Sequence, residues 1–340
     1  MGDPAGIGLD ITLAAWRNRV ALGLPPFVLY GDPAALAERS ASLSIDASMR
    51  VITHPAEAAD TDPAALHVIA VPLAAPCRPG EPDARNAPAV IASIRQAVAA
   101  VEDGHASAVV TNPIAKSVLY GAGFSHPGHT EFLAALAAER RPGRTFRPVM
   151  LLADPALKVV PLTIHVPLTE VAALITGPSI IETTRILHAA LIRDFAIPQP
   201  RIVVAGLNPH AGEGGDIGRE EIEVIAPAIA HLRAEGLDVT GPLSADTLFH
   251  AAARRTYDAV LCMYHDQALI PIKTLAFETG VNVTLGLPFV RTSPDHGTAF
   301  SLAGSGKASE ASLAAALRLA AAMAAARANA RTAAQPGDRA

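Results

Sequence analysis

AVLCMYHDQALIPIK, residues 259–273, opens with five apolar residues, Ala259 to Met263. It turns polar at Tyr264, His265, Asp266 and Gln267, then returns to Leu269 and Ile270 before reaching Lys273. A short apolar run with a polar boundary reads as a buried strand. Ligands of open α/β sheets bind beyond the carboxyl ends of strands. A histidine and a carboxylate at such an end are therefore candidate site residues.

The same pattern recurs along the chain. Strands are predicted over 26–31, 67–71, 107–112, 149–153, 158–163, 201–207, 257–264 and 281–286. Helices are predicted over 33–40, 88–103, 129–139, 167–175, 178–194, 219–235 and 309–328. This alternation predicts α/β layering with a mainly parallel sheet. No Gly/Ser linker splits the chain, so two domains are expected to interleave. Polar clusters close five strand ends: Thr111, Asn112 and Lys116; His165; Asn208, His210 and Glu213; His265, Asp266 and Gln267; Arg291, Asp295 and His296.

Half of the 340 residues are apolar and the net charge is −5, with no long basic run. That balance argues against nucleic acid or an anionic membrane as the main partner. Cys77 and Cys262 are far apart and show no metal-ligand spacing, as in a reduced, cytoplasmic protein. No signal peptide is expected. The Ala-rich segment 311–329 contains Arg318 and Arg327, which predicts a surface helix and not a membrane span. Residues 331–340 are expected to form a disordered tail.

His165, His210 and His265 each follow an apolar run. Three imidazoles with an open fourth position make a catalytic divalent-metal site. Asp246 and Asp266 are candidate carboxylates that orient the rings or ligate directly. One such histidine alone reads better as a strand cap; three together favour a metal. His54, His67, His105, His188, His231 and His250 read as surface or packing residues.

Lys116, Lys158, Lys273 and Lys307 are the only lysines. Lys273 and Arg291 suit a phosphate, with Asn282 as a neutral donor, although exposed charge explains them equally well. PGHTEFL (127–133) reads as a helix start near His129 and Thr130, either an anion site or plain capping by Thr130. The glycine-rich stretches 2–8 and 296–309 fit neither the Walker A nor the Rossmann pattern. Their glycines alone establish only tight turns.

The stretches GDPAGIG, GHTEFL, LTIHVPL, GLNPHAGEGGDIGREE, GPLSADTLF, YDAVLCMYHDQ, GVNVTLGLPFVRTSPDHGTA and LAGSGKAS run from residue 2 to about 309. Together they resemble the 4-hydroxythreonine-4-phosphate dehydrogenase family of pyridoxal 5′-phosphate biosynthesis. The resemblance implies metal ligands at His165, His210 and His265 for zinc, magnesium or cobalt. It implies substrate contacts at His129, Thr130, Lys273, Asn282 and Arg291. Lys116, Asp246 and Asp266 are the candidates for proton removal.

It further implies a fold similar to isocitrate and isopropylmalate dehydrogenases, with two interleaved α/β domains around a mainly parallel sheet and the active site in the cleft between them. The expected domains are 1–125 with 286–330, and 126–285. Residues 296–309 then look like an adenine-binding loop, with His296, Gly297, Gly304 and Gly306 serving NAD or NADP. A homodimer with active sites at its interface is implied, so the metal ligands need not share one chain. The substrate implied is a small phosphorylated amino acid. Alternatives are a relative acting on threonate or erythronate 4-phosphate or on an aromatic dihydrodiol, a phosphate acyltransferase-like enzyme, or a non-catalytic phosphometabolite-binding protein. Two departures stand out: Met1 directly precedes GDPAGIG where the family has a strand, and Leu9-Asp10 replaces the family's common Pro-Glu.

Overall fold

The computed structural model describes residues 1–121, 123–124, 126 and 128–333. It divides into two compact units. The first is Met1–Pro148 with Leu287–Ala324; the second is Val149–Gly286 with the residues from Ala325 on.

The first unit begins with α1 (Gly8–Arg17), β1 (Val28–Gly31), α2 (Pro33–Ser42), β2 (Met49–Ile52) and β3 (Leu66–Ala70). It continues with α3 (Ala87–Glu102), β4 (Ala108–Val110), α4 (Lys116–Gly121) and α5 (His129–Glu139). The strands β1, β3 and β2 form a parallel sheet in that order. Asp32 starts α2: its Oδ1 accepts the N–H groups of Ala34 and Ala35, and Pro33 fills the first helical position. Leu9, Leu13 and Trp16 of α1 pack with Leu29, Leu36 and Val68 in one apolar cluster.

The second unit holds β5 (Val149–Asp154), β6 (Leu157–Pro161), α6 (Leu168–Leu174), α7 (Gly177–Arg193) and β7 (Arg201–Ala205). A π-helical turn, Glu221–Ile225, leads into α8 (Ala226–Ala234). Then follow β8 (Asp238–Leu243), β9 (Ala259–Cys262), α9 (His265–Ala276) and β10 (Val281–Leu285). The strand order within this unit is β10–β5–β6–β9–β7–β8. The pairs β6/β9, β9/β7 and β7/β8 are parallel, whereas β10/β5 and β5/β6 are antiparallel. The sheet is therefore mixed and mostly parallel. Only Pro155 and Ala156 separate β5 from β6, and so short a connection permits only a hairpin. The chain closes with β11 (Val290–Pro294), which pairs parallel to β4 in the first unit, and α10 (Ala311–Ala333).

Several elements depart from the sequence-based expectation. α9 occupies 265–276, where the polar start and an internal Pro271 mask a helix. β11 is wholly buried although it carries Arg291, Thr292 and Ser293. α10 is not a surface helix: Leu313, Ala314, Ala316, Leu317, Ala320 and Met323 are buried. Its length and hydropathy would let it cross a membrane, yet its buried Arg327 serves the fold. Residues 331–333 still belong to this helix; the rest of the expected tail, 334–340, lies outside the described residues.

Asp194, at the end of α7, is fully buried and accepts from Arg193 and Arg327, with Nε–Oδ1 distances of 2.6 Å from each. Burial alone would raise its pKa, but the two guanidinium groups hold it below the ordinary 3.8. The unfolded chain therefore takes up this proton first as pH falls. The stabilisation is complete above the ordinary carboxyl range and is lost as pH drops through the folded value. Asp194→Ala removes the buried carboxylate to which both guanidinium groups donate and should cost about 3–5 kcal/mol in urea unfolding at neutral pH. A loss below about 1 kcal/mol, typical of exposed pairs, would contradict this role.

Candidate active site

In the second unit β6, β9 and β7 are parallel neighbours, so their carboxyl ends share one edge of the sheet. Each end leads to one of the predicted histidines. A relay of hydrogen bonds fixes these ends. The Thr163 N–H and hydroxyl both donate to the Met263 carbonyl, at 3.2 and 2.8 Å. Met263 N–H donates to Gln267 Oε1 at 2.7 Å, and Gln267 Nε2 donates to the Gly206 carbonyl at 2.8 Å. Sequence reasoning noted Gln267 only as part of a polar cluster and missed Thr163. The one signal was spacing: Thr163 stands two residues before His165, and Gln267 two residues after His265.

The relay brings His165 and His265 together, with ring centroids 5.8 Å apart. Imidazoles whose nitrogens lie about 2.0–2.1 Å from one ion have centroids roughly 5–6 Å apart, so this pair fits a shared metal. His265 is the first residue of α9, and its Nδ1 lies 2.7 Å from Asp266 Oδ1. A carboxylate at Nδ1 is the usual partner of an imidazole that ligates a metal through Nε2. Lys273 lies two turns further, about 12 Å along the helix, with Nζ 5.4 Å from the centre of the Phe277 ring. Asn282 is half-buried on β10.

His210 does not join that pair within the chain. Among the described residues, no three His, Cys, Asp or Glu side chains gather to hold a metal. His210 stands in a left-handed turn: φ is 52° at His210, 52° at Ala211, 80° at Gly212, 45° at Glu213 and 70° at Gly214. For a residue with a side chain this conformation costs roughly 1–2 kcal/mol. Gly212 is required, because a Cβ there would lie 2.7 Å from both Glu221 Oε2 and the Gly218 carbonyl. The exposed carboxyl of Asp246 is held below its ordinary pKa by the Ser244 hydroxyl first, with a smaller contribution from His210. The two predicted carboxylates thus go with different histidines, Asp266 with His265 and Asp246 with His210.

The first unit carries the other group. Arg291 on β11 is buried; its Nη2 donates to Thr111 Oγ1 at 2.7 Å and lies 3.4 Å from His129 Nδ1. Burial lowers the Arg291 pKa to about 10, so it stays charged at neutral pH. His129 opens α5 behind Gly128, which takes the cap position without a side-chain bond. Thr130 therefore does not cap this helix, and Pro127 lies outside the described residues. Burial, then Arg291 and Lys116, push the His129 pKa well below 6.5. The ring is neutral, Nδ1 faces the Arg291 donor, and the proton sits on Nε2. That buried Nε2 has no hydrogen-bond partner. A buried donor beside a guanidinium, at the start of an eleven-residue helix, suits an anion. Lys116 is exposed at the start of α4.

The two glycine-rich stretches are bound to one another in this unit. Asp10 and Arg39 form a buried ion pair. Arg39 also donates to the Gly6 and Pro4 carbonyls, at 3.2 and 3.1 Å, and Asp10 Oδ1 accepts from Gly304 N–H at 2.7 Å. Gly304, with φ +71°, has no room for a Cβ, which would lie 2.9 Å from Pro79 carbons. Gly306 has the same positive φ. His296 Nδ1 is 3.0 Å from the neighbouring carbonyl of the exposed Gly297.

The depressed His129 pKa has a measurable consequence. Folding stability from this group is complete above pH 6.5 and is lost as pH falls through the folded value, because the unfolded ring binds the proton first. His129→Gln should therefore show a smaller drop in urea midpoint between about pH 7.5 and 5.5 than the parent chain. Equal drops would show that His129 titrates as an ordinary exposed ring.

Residues 24–320 match the family described as pyridoxal phosphate biosynthetic protein PdxA. The chain is 58% identical over 326 residues to the 4-hydroxythreonine-4-phosphate dehydrogenase of Bradyrhizobium diazoefficiens, covering 93% of each. It is similar, at a TM-score of 0.85 and 42% identity, to the crystal structure of 4-hydroxythreonine-4-phosphate dehydrogenase from Klebsiella pneumoniae, over 95% of this chain and 98% of that one. A terephthalate 1,2-cis-dihydrodiol dehydrogenase from Burkholderia xenovorans is a weaker match, with a TM-score of 0.62 and 28% identity over 95% of this chain and 96% of that one. Identity of this extent, on a fold that delivers histidines to adjacent strand ends, places the chain in the PdxA family of pyridoxal phosphate biosynthetic proteins.

Proposed function

We propose that this chain is a 4-hydroxythreonine-4-phosphate dehydrogenase. It oxidises 4-phosphooxy-L-threonine to 2-amino-3-oxo-4-phosphooxybutanoate, which decarboxylates to 3-amino-2-oxopropyl phosphate, in pyridoxal 5′-phosphate biosynthesis. The observation that carries this reading is the 58% identity, over nearly the whole chain, to a protein of that name. The buried Arg291–His129 group adds chemical support, because it suits the anionic substrate that the reaction requires.

On this reading His129, Thr130, Lys273, Asn282 and Arg291 hold the substrate. His129 donates from Nε2, and Arg291 supplies permanent charge. His165, His210 and His265 hold one divalent ion, zinc, magnesium or cobalt. When bound, the ion supplies Lewis acidity toward the C3 hydroxyl, and NAD or NADP supplies the hydride acceptor. Asp266 keeps His265 in its ligating tautomer. Lys116, Asp246 and Asp266 are the candidates for taking the hydroxyl proton. His296, Gly297, Gly304 and Gly306 form the nucleotide loop, in a fold of the isocitrate and isopropylmalate dehydrogenase type with two interleaved domains. The chain works in the cytoplasm, without nucleic acid or membrane as a partner.

The site is completed in a homodimer. Two features support this. His210 stands apart from the His165–His265 pair within the chain. The second unit also exposes large apolar side chains: Leu168 at 71%, Ile270 at 65% and Phe277 at 77%. Ile270 on α9 and Phe277, the helical C-cap that follows it, are seven residues apart and so share a face. Exposed apolar groups of this size mark an interaction surface.

Reduction of NAD or NADP should occur with 4-phosphooxy-threonine and fall away after metal removal. Faster turnover of threonate 4-phosphate or of a dihydrodiol would reassign the substrate. His210→Ala and His265→Ala should each be inactive as homodimers. Mixed and re-equilibrated in equal amounts, they should place about half the molecules in mixed dimers with one intact site each, returning about a quarter of the parent activity. Mixed dimers that form without activity would show that the ligands come from one chain.

A further inference from the structure

We infer that Glu221 is a positioning residue, whose buried carboxylate holds the left-handed turn that presents His210. Glu221 is 3% exposed and opens the π-helical turn before α8. Its Oε1 accepts two backbone N–H groups, from Leu207 and Asn208, each at 2.7 Å. Its Oε2 accepts from Asn208 Nδ2 at 2.9 Å. Leu207 and Asn208 are the residues by which the chain leaves β7, just before His210. Beyond the strand their N–H groups have no ladder partner, and a buried donor left unpaired is costly. A carboxylate that accepts several N–H bonds is a strong, fixed anchor.

The surroundings are shaped for that carboxylate. A Cβ on Gly212 would lie 2.7 Å from Glu221 Oε2, and a Cβ on Gly206 would lie 3.1 Å from Oε1. Glycines therefore flank the anchor on two sides. Ala211 N–H donates to the Asn208 carbonyl at 3.1 Å, and Ile217 N–H to the Gly212 carbonyl at 3.2 Å. The turn thus runs from an Asn208 fixed by Glu221 to a Gly212 in close approach to Glu221. His210 lies between these two points. Neighbouring Glu220 also accepts from Asn208 Nδ2, at 2.7 Å, but the backbone amide it accepts is that of Arg219, at 3.1 Å, and not those of Leu207 and Asn208.

The inference rests on reading His210 as a metal ligand, and the test separates the two claims. Full-length, metal-stripped protein is titrated with Co²⁺ by calorimetry, and hydrogen exchange is followed over residues 206–218. Glu221→Ala should speed exchange in that segment at least about tenfold and weaken Co²⁺ binding about ten- to a hundredfold, the loss usual when outer support of a ligand is removed. His210→Ala should weaken Co²⁺ without the same rise in exchange. Glu221→Gln keeps an acceptor oxygen for the two N–H groups and should retain most of both properties. Gly212→Ala disturbs the turn with Glu221 intact and should weaken Co²⁺ as well, so it decides the matter if Glu221→Ala fails to fold.

Unchanged exchange, or unchanged Co²⁺ affinity, in Glu221→Ala or in Gly212→Ala would overturn the assignment. A Glu221→Gln variant as impaired as Glu221→Ala would overturn the hydrogen-bond account. Unchanged Co²⁺ affinity in His210→Ala would sink the metal reading instead, and exchange alone would then judge the turn.

Discussion

The side-chain amide of Gln267 connects the Met263 N–H to the Gly206 carbonyl, and the second unit's site is organised by that contact. Strands that end inside a protein leave backbone groups beyond the last ladder bond, and those groups need partners. Gln267 supplies one acceptor and one donor together, a pairing that an ionised carboxylate cannot make. Through Met263 the contact extends to Thr163, so the ends of β6, β9 and β7 are fixed as a set. The histidines that follow inherit their placement from this frame.

The first unit meets the same demand with charge. Asp10 and Arg39 neutralise one another while each serves loop backbone: Gly304 N–H on one side, the Gly6 and Pro4 carbonyls on the other. A buried ion pair gains little over an apolar contact unless its remaining valences are filled. Here those valences are what hold two glycine-rich stretches, nearly the whole chain apart in sequence, against each other. The electrostatic character of the two units differs accordingly. Arg291 and neutral His129 form a group of donors in the first; histidines backed by carboxylates occupy the second.

Much of this was legible in the sequence, for definite reasons. Apolar runs such as 149–153 and 201–205 give strands because burial on both faces leaves no polar alternation. Histidines placed just after such runs were correctly located at strand ends. α9 was hidden because it begins with His265 and Asp266 and carries Pro271. β11 was hidden because Arg291, Thr292 and Ser293 look exposed in sequence yet are buried. The left-handed turn at His210 has only a faint trace, the glycines at 212, 214 and 215. The role of Glu221 has none, because it bonds backbone amides 13 and 14 positions away. Nor does composition reveal which nitrogen of His129 carries the proton; that follows from where Arg291 points.

The pairing of β4 with β11 has a consequence for how the protein is made. Ala108 faces Val290, so that parallel pair closes only after some 180 intervening residues have been synthesised. While the ribosome is still adding β5 to β10, the 108–110 segment has no such neighbour, and Asp10 has no Gly304 to hold. The first unit is begun first, yet its β4–β11 pair closes only after β5 to β10 have been made. Its early residues stay unsealed through most of translation, a period in which an unpaired strand is open to association with other chains and to chaperones.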